Sequence, residues 1–438
     1  MCGHQSVPWS AVRDIVFRVT GHLPIVDDEL LLHRQKMIYA LCKGEGLKFF
    51  TNLLSETTHC LCSDPRDKIF ALLSLTELTE KRIKINPDYT KSIYDVYQDF
   101  MVQFITIGHV RLLRGVEMHE HLEGVPSWVP DWSTPRLSES LQVFNANAEF
   151  NHVVQFQQGG ILQVSGVLVT AIERTEALNL SISEAAKLSP QPCILELQRV
   201  VSQIGFQDEH LHSKEKLREL CQTLCTDQVS DRYYPSTPKY PTRRSSEESL
   251  TELLNLRINS EYIGVKQEAL KFMSGLLRFC EGRSLFRSTQ GRSGLGPKTA
   301  RAGDIVTVVL GVSNGLVLRP TNDHKFQVVG EAYYNDIMNG QALLGPLPDG
   351  IEEVSRYSPS VQQWHFAYFD RDNNTVMTVD PRVRDDLPPG WSIEIDPEDE
   401  IFRWFVSEET GKRTWRDPRL TLELLKKRGV DLQVFDLI

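Results

Sequence analysis

The sequence predicts an α+β multidomain chain, with an N-terminal helical bundle, a small discontinuous β domain carrying a helical insert, and a compact aromatic module at the C-terminus. Three observations predict it. Apolar residues recur at helical spacing over the first part of the chain. β-Branched runs bounded by turn residues replace them afterwards, in two blocks separated by helical-looking sequence. A last segment, 387–418, gathers prolines and tryptophans in too little sequence to build an ordinary core.

Composition sets the frame. A chain of 438 residues holds roughly two to four domains. Hydrophobic content of 41% and charged content of 24% are those of an ordinary globular protein. A net charge of −10 argues against a nucleic-acid or anionic-membrane partner. Apolar runs such as Ile305–Val312 are far shorter than the ~18 residues a membrane span needs. The N-terminus carries charges and a Pro-Trp pair, which is not a signal peptide, so a cytoplasmic protein is expected. The cysteines read as reduced thiols. His59-Cys60-Leu61-Cys62 and Cys221-x-x-x-Cys225 hint at zinc, but neither makes a four-ligand set, and no metal is expected.

The elements come in order along the chain. Pro8 stands near a helix start, and Val12, Ile15, Val16 and Val19 share one helical face. Asp64 is placed to cap a second helix, with Pro65 at its first position and Ile69, Leu72 and Leu73 facing inward. Ser92-x-x-Asp95 opens a third, striped by Ile93, Val96, Tyr97, Phe100 and Phe104. These faces are expected to bury against one another within 1–136. Pro126 and Pro130 then hold Trp128 and Trp132 on a rigid extended segment. Two such rings could stack a ligand, but the expectation is a clasp that packs the helical part onto the next part of the chain.

After a Gly159-Gly160 turn, Leu162 and Val164 alternate with polar residues, as a strand does. Similar runs return at Ile305–Leu310 and Lys325–Val329. One β domain is expected from 137–182 and 283–380, interrupted by a helical insert over 183–282. Within the insert, Ile194–Ile204 and Glu252–Phe279 read as helical. Residues 227–249 are rich in Pro, Ser and charge and are expected to form a mobile, disordered loop. In that loop Arg243-Arg244 precedes Ser245-Ser246 and Thr237 precedes Pro238, so Ser246 and Thr237 are candidate phosphorylation sites.

The stretches CSDPRDKIFALLSL (Cys62–Leu75), NPDY (Asn86–Tyr89), VPSWVPDWS (Val125–Ser133) and the block Gly303–Leu343 together resemble fungal heterokaryon-incompatibility (HET-domain) proteins, in the region after their effector domain. The opening MCGHQSVPWSAV is similar to the segment just after that domain's last Trp-rich motif. The resemblance implies a role in fungal allorecognition for a protein that lacks the effector domain, a truncated, non-catalytic regulatory or vestigial accessory protein. The alternative is an adaptor for proline-rich partners.

That alternative rests on residues 385–420. Leu387-Pro-Pro-Gly-Trp391, Arg403-Trp-Phe-Val406 and Thr414-Trp-Arg-Asp-Pro418 resemble a WW domain, which implies a three-stranded antiparallel sheet. The resemblance assigns Pro388, Trp391, Phe405 and Pro418 to a structural clamp. Trp404 and Trp415, eleven positions apart, would line a proline groove on the other face. A polyproline helix arrives already ordered, so flat rings hold it at little entropic cost. The family's usual Asn, His and Thr are replaced here by Ser407, Glu408 and Arg413, so the ligand-contacting His of a Pro-Pro-x-Tyr reader is missing. The tail, 421–438, reads as a helix capped by Thr421 and a last alternating strand, ready to pair with a sheet.

Other chemistry is not expected. Gly291–Thr299 imitates a phosphate loop, but Pro297 intrudes, no apolar strand precedes it and no helix comes after it; by the HET resemblance it is a glycine-rich turn. Asp64 and Asp67 suit a helix N-terminus, and Arg66 is expected to bridge across the bundle. No nucleophile–base set, nucleotide loop or cofactor motif is visible, so no catalytic residue and no cofactor are assigned.

Overall fold

The structure is a computed structural model that describes residues 11, 50, 53–54, 57, 60–73, 85–118, 124–180, 191–206, 213–257, 267–360 and 363–438. The helix expected around Val12–Val19 lies outside the described residues. In the N-terminal region α1 (Asp67–Phe70) and α2 (Ile93–Thr106) are followed by a 3-10 turn, Val110–Gly115. Ser92 caps α2 by accepting from Asp95 N at 3.1 Å. Val96, Tyr97, Phe100 and Phe104 are buried along it. Arg66 does not bridge the bundle. It pairs with Asp64 at 2.7 Å, and donates to the carbonyls of Tyr89 and Lys91 at 2.5 and 2.8 Å. Tyr89 returns a bond to Asp67 at 2.6 Å, so the DPRD and NPDY motifs meet as one polar patch.

The β region is organised by one long strand. A short strand β1 (Val154–Gln157) turns at Gly159-Gly160 into β2 (Ile161–Ala177), whose residues alternate between half-buried and buried from Ile161 to Val167. In the insert come helices α3 (Gln191–Gln203), α4 (Lys214–Leu224), a two-residue strand β3 (Tyr233–Tyr234), α5 (Arg243–Asn255) and α6 (Gln267–Cys280). Next are β4 (Arg283–Ser288), β5 (Ser293–Pro297), β6 (Ile305–Val309), β7 (Gly315–Pro320) and β8 (Phe326–Tyr334).

Pairing runs β2-β4-β5-β8-β7-β6 and back to β2, which closes a barrel. β2 reaches both neighbours because register shifts at Leu168/Thr170 and Ile172/Arg174 bend it around the ring. Gly166 must be glycine where it crosses β6, since a Cβ there would lie 2.3 Å from the Val308 carbonyl oxygen.

The remaining strands correct the expected plan. Residues 351–377 do not extend the barrel. Following the short helix α7 (Gln341–Leu344), β9 (Ile351–Ser358), β10 (Gln363–Asp370) and β11 (Thr375–Met377) form a separate sheet, completed by β3 from the insert. Strand β3 runs parallel to β9, with Tyr233 opposite Ser355. The stretch expected as a mobile loop is therefore structural. Its Asp227, Ser230, Arg232, Ser246 and Ser249 are buried, and its second half begins α5, capped by Thr242. Charged residues suggested solvent, but Asp227 neutralises Arg232 and Arg243 at 3.4 and 3.3 Å inside the fold.

Last come the antiparallel sheet β12 (Trp391–Ile395), β13 (Arg403–Ser407) and β14 (Arg413–Thr414), then helix α8 (Leu422–Lys427) and β15 (Gln433–Leu437). Thr421 caps α8, accepting from Leu424 N at 3.2 Å. Strand β15 pairs antiparallel with the first half of β2 and touches β8 at Phe326. It fills the end of the β2–β8 gap that β4 and β5 leave open. Ser127 N donates to the Ile438 carbonyl at 2.8 Å, which ties the tail to the Pro-Trp segment.

Two cores result. One joins α3–α6 to the barrel through Phe286, Leu295 and Tyr334. The other joins α2 to Trp128, Trp132, Val309, Leu318 and the β15 residues Phe435 and Leu437. Trp132 stands edge-on to Tyr97 and Phe100 at 5.0 and 5.3 Å, and Trp128 Nε1 donates to the Gly160 carbonyl at 2.9 Å. The two tryptophans are packing residues. Among the described residues no helix is long and apolar enough to cross a membrane.

Candidate functional site

The small sheet presents the aromatic pair singled out in the sequence. β12 and β13 pair with Trp391 opposite Ser407 and Glu394 opposite Trp404, while Phe405 lies opposite Ile393 and Thr414. Because faces alternate along a strand, Trp391 and Phe405 share one side and Trp404 projects from the other. Extending the β13–β14 register by one residue sets Trp415 level with Trp404, on that same side. Phe405 is 3% exposed, and Pro388, Trp391 and Pro418 are half-buried around it. Trp415 is 46% exposed. Trp404 is fixed more firmly, with Nε1 donating to Asp396 at 2.7 Å and its ring edge-on to Phe402 at 5.2 Å. That hydrogen bond holds the Asp396 carboxyl below the usual range. Ser407 is buried, whereas Glu408 and Arg413 are exposed.

The sheet is joined to the body at its hairpin and its end. Asp399 accepts from Arg356 at 2.6 and 2.7 Å and from Ser358 at 2.8 Å. Although burial pushes its carboxyl up, these bonds bring it down to about 2. Phe402 meets His365 at 5.0 Å, and Arg416 donates to Asn151 at 2.8 Å.

The sequence reading missed the interior charges. Glu331 of β8 is 1% exposed and ringed by donors. Arg283, Arg136 and Arg114 approach at 3.1, 3.4 and 3.3 Å, joined by Leu141 N at 2.7 Å and Asn314 at 3.3 Å. Burial alone would raise the Glu331 carboxyl, but Arg114, Arg283 and Arg136 hold it below its ordinary value. Glu117 sits beside the cluster, accepting from Leu137 N at 2.7 Å and Ser138 Oγ at 2.9 Å. A second cluster surrounds Glu353, which Arg232 approaches at 3.6 Å and Asn145 at 2.9 Å. Burial outweighs these partners and pushes Glu353 up to about 7; burial and then Glu353 itself raise Glu149 to about 7. A signal did exist, since Glu331 lies inside the apolar run VVGEAYY, where a charge must be paired.

The other candidates fall elsewhere. Ser246 is fully buried with its hydroxyl donating to the Thr242 carbonyl at 2.9 Å, which closes it to a kinase in the folded chain. Thr237 is half-buried and accepts from Lys239 N at 3.3 Å. The phosphate-loop imitation is chiefly the strand β5 rather than a turn. Gly294 is required there because the Phe286 ring occupies its Cβ position, 2.0 Å away. Cys221 and Cys225 are buried on α4 and its C-cap, and among the described residues no three His, Cys, Asp or Glu side chains stand together as a metal site.

Comparison with curated proteins finds no match. A family model does match: the Het-6 beta-barrel domain, over residues 247–345. The matched stretch runs from within α5 through α6 and β4–β8 to α7, most of the barrel, but leaves out β2 and β15, which close it. That match supports a heterokaryon-incompatibility-related protein of the fungal kind.

Proposed function

We propose that the chain is a non-catalytic regulatory or accessory protein of a fungal incompatibility system, working through the surface of a rigid barrel. The Het-6 beta-barrel match over residues 247–345 supports the incompatibility part of this reading, and the use made of Glu331 supports the non-catalytic part. A general acid or base needs a free lone pair and a path to substrate. Glu331 has donors on both oxygens, two of them from arginines outside the barrel strands, Arg114 and Arg136. Its role is to bind the helical segment to the barrel, as a fixed counter-charge. Expression of the chain in a fungal host tests the proposal. Unchanged growth supports an accessory role; growth arrest or death caused by this chain alone would show effector activity and overturn it.

A second reading, recognition of proline-rich segments by a WW-like sheet, is favoured by Trp415, 46% exposed and level with an immobilised Trp404. A pull-down on a proline-rich peptide array, repeated with Trp415→Ala, decides it. Peptides captured by the native chain and lost in the variant support the groove. An empty array leaves the sheet a structural closing element.

A further inference from the structure

Between the Pro-Trp segment and the barrel rim lies a cleft of about 770 Å³. Small-molecule sites commonly measure about 300–1,000 Å³. Its apolar lining comes from Val116, Val125, Pro126, Val129 and Val328. Its charged side chains are Glu117, Asp131, Arg301 and Arg319, and Ile438, the last residue of the sequence, also lines it.

The hydrogen-bonding capacity of those charges is unevenly used. Glu117 already accepts from Leu137 N and Ser138 Oγ. Asp131 accepts from Ser133 N at 2.9 Å and Thr134 Oγ1 at 2.6 Å. Arg319 gives Nε and Nη2 to Asp304 at 2.8 and 3.0 Å, but its Nη1 meets only the Met118 sulfur, a weak acceptor, at 3.2 Å. Arg301 is exposed, and among the described residues its guanidinium has no ion-pair or hydrogen-bond partner. The donors left without a strong acceptor are the Arg301 guanidinium and Arg319 Nη1. An oxyanion supplies one, and a guanidinium binds carboxylate or phosphate with paired donors.

We propose that this cleft binds a small amphipathic anion, an aliphatic carboxylate or phosphate monoester. Its head lies on Arg301 and the free edge of Arg319, and its apolar body covers the valines. The ligand would touch five parts of the chain that only the folded barrel brings together: the 116–118 and 124–131 segments, the β5–β6 loop, β7 and β8.

Isothermal titration of the full chain with sodium octanoate, octyl phosphate, octylammonium and octyl glucoside, each below its micellar concentration, is the test. Octanoate or octyl phosphate should saturate one site, and the tighter of the two names the head group. Octylammonium and octyl glucoside should bind at least tenfold more weakly, as should inorganic phosphate, which lacks the apolar body. Arg301→Ala, at an exposed position, should weaken the anion at least tenfold, and Arg301→Lys should restore part of the loss. Equal binding of octylammonium or octyl glucoside, an unchanged Arg301→Ala, or inorganic phosphate as tight as octyl phosphate would each overturn the proposal.

Discussion

Arg283 and Glu331 face each other 3.1 Å apart inside the barrel wall, each side chain 1% exposed. Breaking one half of a buried pair costs about 3–5 kcal/mol when a charge is left uncompensated. The two halves are not equivalent here. Glu331→Gln leaves Arg283, Arg136 and Arg114 without their shared counter-charge, whereas Arg283→Met leaves Glu331 with two guanidiniums. Urea denaturation should therefore find Glu331→Gln at the upper end of that range and Arg283→Met clearly milder. Equal losses would mean that the pair acts alone and that Arg114 and Arg136 contribute nothing.

Strand β15 should act as part of the barrel and not as an appendage. Phe435 is 1% exposed while its neighbour Val434 is 61% exposed. Phe435→Ala should cost about 3–5 kcal/mol as a buried aromatic is lost. Val434→Ala should stay within about 0.5 kcal/mol. Similar thermal shifts for the two would show that the strand does not seal the core.

Residues 227–249 should be protected. Ser230 N donates to the Pro241 carbonyl at 2.9 Å and Ser246 N to the Thr242 carbonyl at 3.0 Å. Hydrogen exchange should show both amides slow. Exchange at unfolded-chain rates across the whole stretch would restore the mobile loop that its composition suggested.

Stability should fall as the medium is raised from acid to neutral, through Glu353. Burial holds its carboxyl at about 7 in the folded chain, against about 4.3 when unfolded. Between those values the folded state binds more protons, so unfolding free energy declines with rising pH and then levels off. Glu353→Gln should flatten that part of the curve, measured as melting temperature from pH 4.5 to 7.5. Glu149, raised by burial and by Glu353, would keep a smaller slope. A variant curve as steep as the native one would remove Glu353 as its source.

The two faces of the small sheet should separate in mutation. Phe405→Ala removes a buried ring and should unfold the sheet locally, seen as loss of near-ultraviolet tryptophan dichroism. Trp415→Ala, at an exposed position, should leave the sheet folded. Identical protease sensitivity of the two variants would contradict this division.

The elements whose signals are local were legible in the chain alone. The Ser92 and Thr421 caps, the β2 alternation at Leu162 and Val164, the packing of Trp128 and Trp132, and the last strand could be read because each stems from one segment's own chemistry. Which segment meets which was decided only by the tertiary structure. Periodicity tells which face of a strand is buried, not what lies against it. Thus β15 could be foreseen as a strand, but its place between β2 and β8 depends on a gap that exists only once the barrel has closed. Tyr233–Tyr234 paired with β9 against what composition suggested, because Asp227, Arg232 and Arg243 neutralise one another only after folding. Glu331 shows the same division: the sequence marks a charge among apolar residues, and the arginines that make it tolerable are Arg114, Arg136 and Arg283, far apart along the chain.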